Sequence, residues 1–285
     1  MIVEEKRGRI RPQTLLALSM AVALIALAVY HWSSSRNLPP LSGTFQEISS
    51  EDWARIELPA IGCSVVNNVW NKAAAGGGFE QQIFSESSEG NTVYGWRWHA
   101  PWHLIPRVVS QPQLVCGDKP WDEPLRLNSQ FPFRAGSKKL TASFDTRLKA
   151  TGSYNMAFSL WAVSSLPASR NVITHEIMIW NANSAQSPGG TKRDMLIVDG
   201  VVYNVYAEEN HADNSGQNSN RWMYVAFVSS TPLLRGRLDI SSFIDYMLQK
   251  KMITDTHYLT SLEFGNEVSE GSGIVEIRDF SLLFH

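Results

Sequence analysis

The stretch His175-Glu176-Ile177-Met178-Ile179-Trp180 runs for six residues without a turn former. In a strand, successive side chains point to opposite faces, so Glu176, Met178 and Trp180 share one face and His175, Ile177 and Ile179 the other. The two isoleucines read as the packed face. The opposite face then carries a carboxylate, a thioether and an indole. A carboxylate beside a flat aromatic suits sugar chemistry; the plainer alternative is an exposed Glu on a half-buried strand.

A second stretch pairs with the first. Leu262-Glu263-Phe264-Gly265-Asn266-Glu267-Val268-Ser269-Glu270-Gly271-Ser272-Gly273 again alternates, with Leu262 and Phe264 set against Glu263, Gly265 and Glu267. Common glycosidases use two carboxyl groups flanking the scissile bond. Glu176 and Glu267 lie far apart in sequence, as they would if two strands of one sheet brought them together. Glu263 ranks as a distant third carboxylate.

From about residue 61 onward the chain is mostly short alternating runs separated by Gly, Pro, Asn and Ser, a pattern that predicts an all-β sandwich. Strands are expected over 61–70, 79–86, 91–99, 140–148, 153–162, 172–181, 194–199, 201–207, 221–229, 258–268 and 273–284. One helix stands out, because Ile240, Phe243, Ile244, Met247 and Leu248 fall on one face at helical spacing. Asp239 sits where an N-cap would, and Lys250 and Lys251 lie at the negative end of the helix dipole. The helix is expected to brace the convex side of the sandwich.

The chain resembles glycoside hydrolase family 12, the small endoglucanases and xyloglucanases, through stretches in the family's order: Asn67-Asn68-Val69-Trp70-Asn71, Gly95-Trp96-Arg97-Trp98, Gly117-Asp118-Lys119-Pro120-Trp121, Gly152-Ser153-Tyr154-Asn155-Met156-Ala157-Phe158, Glu176 to Trp180, Trp222 to Val228, and Gly265-Asn266-Glu267 with its Gly-Ser-Gly tail. The resemblance covers residues 60–285 and implies a β-jelly-roll sandwich of the concanavalin type, with a β-glucan chain lying in an open groove. It places Glu176 on the family's nucleophile and Glu267 on its acid/base. Asn68 and Trp70 resemble a pair at a sugar subsite, Met178 and Trp180 the centre of the cleft, and Pro188 a loop crossing one end. Strand parity adds Trp96, Trp98, Asn155 and Trp222 as candidate cleft residues. The implied function is a retaining endo-β-1,4-glucanase on cellulose-like or mixed-linkage β-glucan; a xyloglucan-specific endo-hydrolase and a non-catalytic, membrane-anchored β-glucan-binding protein are the alternatives. Two departures matter. After Glu267 this chain has Val268-Ser269 where fungal members commonly carry Pro-Phe, so the aromatic contact there is absent. Many members carry an acid that bonds the nucleophile where this chain has Ser159, whose hydroxyl is expected to bond Glu176 instead.

The remaining features bound the function. With 25 Lys+Arg against 27 Asp+Glu, nothing suggests a nucleic-acid partner. No Cys/His cluster with metal spacing, phosphate-binding loop or nucleophilic Ser elbow is present, so neither metal nor cofactor is expected, and the protein reads as a monomer. His211 has no partnered Ser or Cys motif and is read as non-catalytic. The only cysteines, Cys63 and Cys116, are either a disulfide of a translocated domain or two buried thiols.

Residues 15–32 are nearly all apolar, and as a helix would span about 27 Å, just short of a hydrocarbon core of about 30 Å. Lys6, Arg7, Arg9 and Arg11 precede them, which puts residues 1–14 in the cytoplasm and the rest across the membrane. The run is long for a signal peptide and no clean small-x-small cleavage site follows. The reading is therefore a single-pass membrane anchor with the catalytic domain outside the cytoplasm, and secretion after signal cleavage is the alternative. Residues 33–59 read as a linker. Membrane fractionation with N-terminal sequencing is expected to find the intact chain in the membrane fraction; a mature protein beginning between Ser33 and Ser42 would show a cleaved signal instead.

Overall fold

The computed structural model describes residues 20, 38–41, 45–88, 91–105, 107–212 and 219–285. Apart from Met20, the predicted anchor 15–32 lies outside the described residues, and among those no helix is long and apolar enough to cross a membrane. In chain order the strands are β1 (Phe45–Ser49), β2 (Arg55–Leu58), β3 (Cys63–Val66), β4 (Glu80–Ser88), β5 (Asn91–Ala100), β6 (Gln113–Gly117), β7 (Phe133–Arg134), β8 (Leu140–Ala150), β9 (Ser153–Val163), β10 (Ile173–Ser184), β11 (Thr191–Val198), β12 (Val201–His211), β13 (Trp222–Ser229), β14 (Arg235–Asp239), β15 (Tyr258–Gly265) and β16 (Val268–Phe284). One longer helix, α1 (Ile240–Gln249), separates β14 from β15.

Two sheets face each other. The outer sheet runs β1-β4-β5-β16-β8-β14, all antiparallel. The cleft sheet runs β11-β12-β13-β10-β9-β15-β6-β3-β2, antiparallel except for the parallel β10–β13 pair. The start of β16 also pairs with β9, so one long strand joins both sheets in a jelly-roll-like, nearly closed wall. Burial explains the patterns. In β8 buried and part-exposed residues alternate along Leu140-Thr141-Ala142-Ser143-Phe144, as a strand with one covered face requires. β9 is buried on both faces, which is why its sequence reads as a nearly continuous apolar run.

The core fills the space between the sheets. Phe158 and Phe264 of the cleft sheet stack at 4.3 Å between ring centroids, and Phe144 of the outer sheet meets Phe158 at 5.3 Å. Trp96 and Trp98, expected in the cleft, are fully buried in this core instead. Parity correctly put them on one face, but β5 belongs to the outer sheet, whose covered face looks inward. Gly273 leaves room for the Trp98 ring, which would lie 2.2 Å from a Cβ added there.

The predicted helix forms, and Asp239 caps it by accepting the Ser241 N–H at 3.0 Å. Phe243 packs edge-on against Tyr203 and Phe227, core-side residues of β12 and β13, so α1 packs on the face of the cleft sheet that looks away from the cavity. The linker expectation also changes, since β1 pairs with β4 and β2 with β3, and Ile56 is buried. Those short strands carry too few apolar residues to stand out as a pattern.

Cys63 and Cys116 stand opposite each other on β3 and β6 and form a disulfide, the first of the two readings left open by the sequence. It closes a loop across a sequence separation of 53 residues. On the chain-entropy account such a closure contributes up to about 4 kcal/mol. The Cys63→Ser/Cys116→Ser variant is expected to unfold at clearly lower denaturant concentration, by 2 to 4 kcal/mol or about that range, in a urea titration.

Candidate active site

An open cavity of about 530 Å³ lies on the outer face of the cleft sheet, within the usual size of ligand sites. Glu176 and Glu267 both line it. Glu176 comes from the middle of β10, where its neighbours in register are Trp161 on β9 and Tyr224 on β13. Glu267 sits on no strand. β15 ends at Gly265 and β16 starts at Val268, so Asn266 and Glu267 form the joint between the two sheets. Gly265 lets the segment before β6 approach the joint closely, because a Cβ there would lie 2.4 Å from both Gln113 Cβ and the Pro112 carbonyl.

Glu267 is held in place by Asn155. The Asn155 amide donates to Glu267 Oε2, and its Oδ1 accepts the Glu267 N–H at 2.8 Å. Asn266 in turn donates to the Asn155 carbonyl and accepts the Trp96 indole N–H at 2.9 Å. Asn155, predicted to bind substrate, is fully buried and positions a carboxyl group instead; Trp96 supports the same joint from the core. Glu176 has a different partner, accepting the Trp222 indole N–H at 2.9 Å.

Both carboxyl groups are part-exposed through the cavity and otherwise hemmed in by protein. Burial pushes Glu176 up to about 7; the Glu267 charge adds to this, while His211 and the Trp222 indole oppose it. Burial likewise pushes Glu267 up to about 7, against the opposing Asn155 amide. The two groups therefore line one cavity, and burial disfavours the ionised form of both.

Aromatic rings form much of the floor. Trp121 meets Trp161 at 4.8 Å and Trp161 meets Trp222 at 5.4 Å, both edge-on. Trp70, Asn68, Trp180 and Trp222 line the cavity as expected from the sequence. Asn68 also accepts the Trp70 N–H at 3.1 Å. Trp161, on the strand face that parity gives Asn155 and Ser159, lines it as well; so do Trp121, Gln111, Gln186 and His211, which were not singled out as site residues. The sequence carried a signal for Trp121 in the Lys119-Pro120-Trp121 motif, but none for Gln111 or Gln186, which tertiary folding brings in from loops.

Three expectations need correction. Met178 is fully buried beneath the floor, where its sulfur meets the Trp180 indole and the Tyr224 hydroxyl, each at 3.5 Å. Pro188 is in the expected loop, but Ala185, Gln186, Ser187 and Gly189 supply its cavity wall. Ser159 is buried and accepts from Gln111 at 3.4 Å rather than bonding Glu176. Its partner in register on β10 is Met178, so Glu176 is only a diagonal neighbour. On its other side Ser159 is paired with Glu263, which makes a fully buried ion pair with Lys119 at 3.1 Å. With its amide oriented to suit its neighbours, Gln113 bonds Glu263, Lys119 and Asn68 together. Glu263 is thus a structural carboxylate beneath the Asn68 end of the floor.

An all-β jelly roll with two partly buried glutamates over an aromatic floor defines a glycoside hydrolase. The comparisons agree: the model for "Glycosyl hydrolase family 12" matches residues 61–284, and the chain belongs to that family. It is 32% identical over 217 residues to "Endoglucanase S" of Pectobacterium parmentieri, covering 75% of this chain and 78% of that one. It is 25% identical over 217 residues to "Xyloglucan-specific endo-beta-1,4-glucanase A" of Emericella nidulans, covering 73% and 79%. Among solved structures it resembles the native family 12 xyloglucanase from Bacillus licheniformis with a TM-score of 0.74 and 26% identity, over 84% of this chain and all of the other.

Asn155→Ala removes the donor that favours ionised Glu267 and the acceptor that holds its backbone. The Glu267 pKa is expected to rise, so the basic limb of the kcat/KM profile should move to higher pH while kcat falls about ten-fold or more. Profiles between pH 4 and 9, or about that range, compare the two proteins.

Proposed function

We propose that the protein is a retaining endo-β-1,4-glucanase acting on cellulose-like or mixed-linkage glucan by double displacement. The observation that carries this reading is the placement of Glu176 and Glu267 on one cavity with different hydrogen-bond partners. The ionised Glu176 attacks the anomeric carbon, while the bond to the departing sugar oxygen breaks and Glu267 gives that oxygen its proton. A water then attacks the same carbon and passes a proton to Glu267, and the bond to Glu176 breaks with net retention. The indole N–H on Glu176 stabilises its anion, and burial keeps Glu267 protonated until the leaving group takes the proton. The aromatic floor supplies flat surface for pyranose rings. An open cleft admits the middle of a polymer, which favours endo-cleavage.

Xyloglucan is the second substrate reading, favoured by the likeness to the Bacillus licheniformis xyloglucanase. A purely binding role does not explain two carboxyl groups held in one cavity where burial disfavours their charge, a cost that sugar binding alone does not require. We further propose that residues 15–32 hold a monomeric catalytic domain at the outer face of a membrane, a reading that rests on the apolar run and the basic residues before it.

Reducing-end release from barley β-glucan, carboxymethylcellulose and xyloglucan tests the substrate class, with unbranched glucan expected to be cleaved fastest. Glu176→Ala is expected to abolish turnover, and azide to restore part of it with inverted stereochemistry. Glu267→Ala should spare only substrates whose leaving group needs no proton. Wild-type rates in both variants would refute the catalytic pairing.

A further inference from the structure

The two carboxyl groups need unequal proton affinities, and on the side of the site where the family resemblance implies a supporting acid this chain has Ser159 on Gln111, with the charges beyond it, Glu263 and Lys119, paired with each other. The asymmetry lies on the other side. Glu176, Tyr224 and Glu208 form one row in register across β10, β13 and β12. Adjacent strands are about 4.8 Å apart, so Glu176 and Glu208 are separated by two strand spacings with Tyr224 between them. His211 lies over this row. Its Nδ1 is 2.8 Å from Glu208 Oε2, and its ring stacks on Tyr224 with centroids 4.8 Å apart and planes at 30°. Its ring also meets Trp222, the donor to Glu176, at 5.9 Å.

The arrangement is close-packed and borders the cavity. His211 and Gly189 line the same wall, and a Cβ at Gly189 would come within 3.3 to 3.4 Å of Glu208 Oε2, His211 Cε1 and Tyr224 Cε1. Among the described residues, the charged and titratable groups facing His211 are these. β10 presents Glu176, β12 presents Glu208 and β13 presents Tyr224. The joint before β16 presents Glu267, and the loop over 185–190 presents only Gln186 and Ser187. Arg221, just before β13, is exposed and donates to the Asn220 carbonyl at 3.3 Å; Arg170 lines the cavity and packs over Trp121 at 5.5 Å. The Glu208 carboxylate at the His211 Nδ1 fixes the ring over Tyr224 and beside the cavity.

We propose that Glu208 and His211 are a positioning pair, in which Glu208 holds a cationic imidazole beside Glu176 so that Glu176, and not Glu267, gives up the first proton. The pair acts through charge and touches neither reacting atom of the sugar. It rests on the retaining reading, to which it adds the source of the inequality between the two carboxyl groups. The opposing effect of His211 on Glu176 agrees with this geometry.

The test uses kcat/KM profiles on neutral mixed-linkage glucan for the wild type, His211→Gln, His211→Lys and Glu208→Gln. Losing the cation raises the Glu176 pKa, so the acidic limb of His211→Gln should move up by about half a pH unit or more, which lowers kcat/KM on that flank about three-fold. His211→Lys keeps a cation and should return the limb toward the wild-type position. Glu208→Gln, which frees the ring, should lower kcat/KM and weaken the difference between His211→Gln and His211→Lys when combined with each. A purely structural role would lower the rate equally at every pH, in His211→Lys as much as in His211→Gln; that result, or an unmoved limb, overturns the proposal. Should His211→Gln fail to fold, His211→Asn decides on the same criterion. Failure of the underlying reading is distinct, because it would appear as full activity in Glu176→Ala.

Discussion

Everything in the site depends on holding a carboxylate at a chain position that no strand supports. Glu267 lies in the two-residue joint between β15 and β16, where the chain passes from the cleft sheet to the outer one. Such a joint would ordinarily be free to move. Here Asn155 of β9 bonds Glu267 through both its side-chain atoms and its backbone N–H, and Asn266 ties the joint to Trp96 of the opposite sheet. Side-chain amides suit this task, since each donates and accepts at once. The hydrogen bonds are buried, where losing one partner costs the full desolvation of the other.

The second constraint is electrostatic. Two carboxyl groups in one cavity resist ionising together, and burial raises both. The protein separates their behaviour through neighbours rather than depth. Glu176 has an indole N–H and faces a histidine, whereas Glu267 has a neutral amide. Beneath the other end of the floor, Lys119 and Glu263 pair with each other at 3.1 Å. That pair is costly to desolvate and is tolerable only because Gln113 and Ser261 complete its bonds. Its return is geometric: it ties β15 to the segment carrying Trp121 and, through Gln113, to Asn68.

The parts legible in the sequence are those set by local periodicity. The face shared by Glu176 and Trp180, the helix after its Asp239 cap and most strands from β3 onward follow from side-chain alternation and spacing. The same rule misplaced Trp96 and Trp98. Parity says that two residues share a face, but the face that looks into the cleft on one sheet looks into the core on the other. It also placed Met178 and Ser159 on the cleft side without saying how deep they lie; Trp180, Tyr224 and Gln111 cover them.

The sequence by itself determined the all-β class, the two glutamates and the family to which they point, because these rest on alternation and on collinear motifs. Only the tertiary structure decided which sheet each strand joins, that the buried Asn155 holds Glu267, and that His211 stacks on Tyr224 at the cavity wall beside Glu208. The physical reason is separation along the chain. Asn155 and Glu267 are 112 residues apart, and Trp96 and Asn266 are 170 apart. Hydrogen bonds of that range leave no period in a sequence, and are formed only when β16 passes from one sheet to the other.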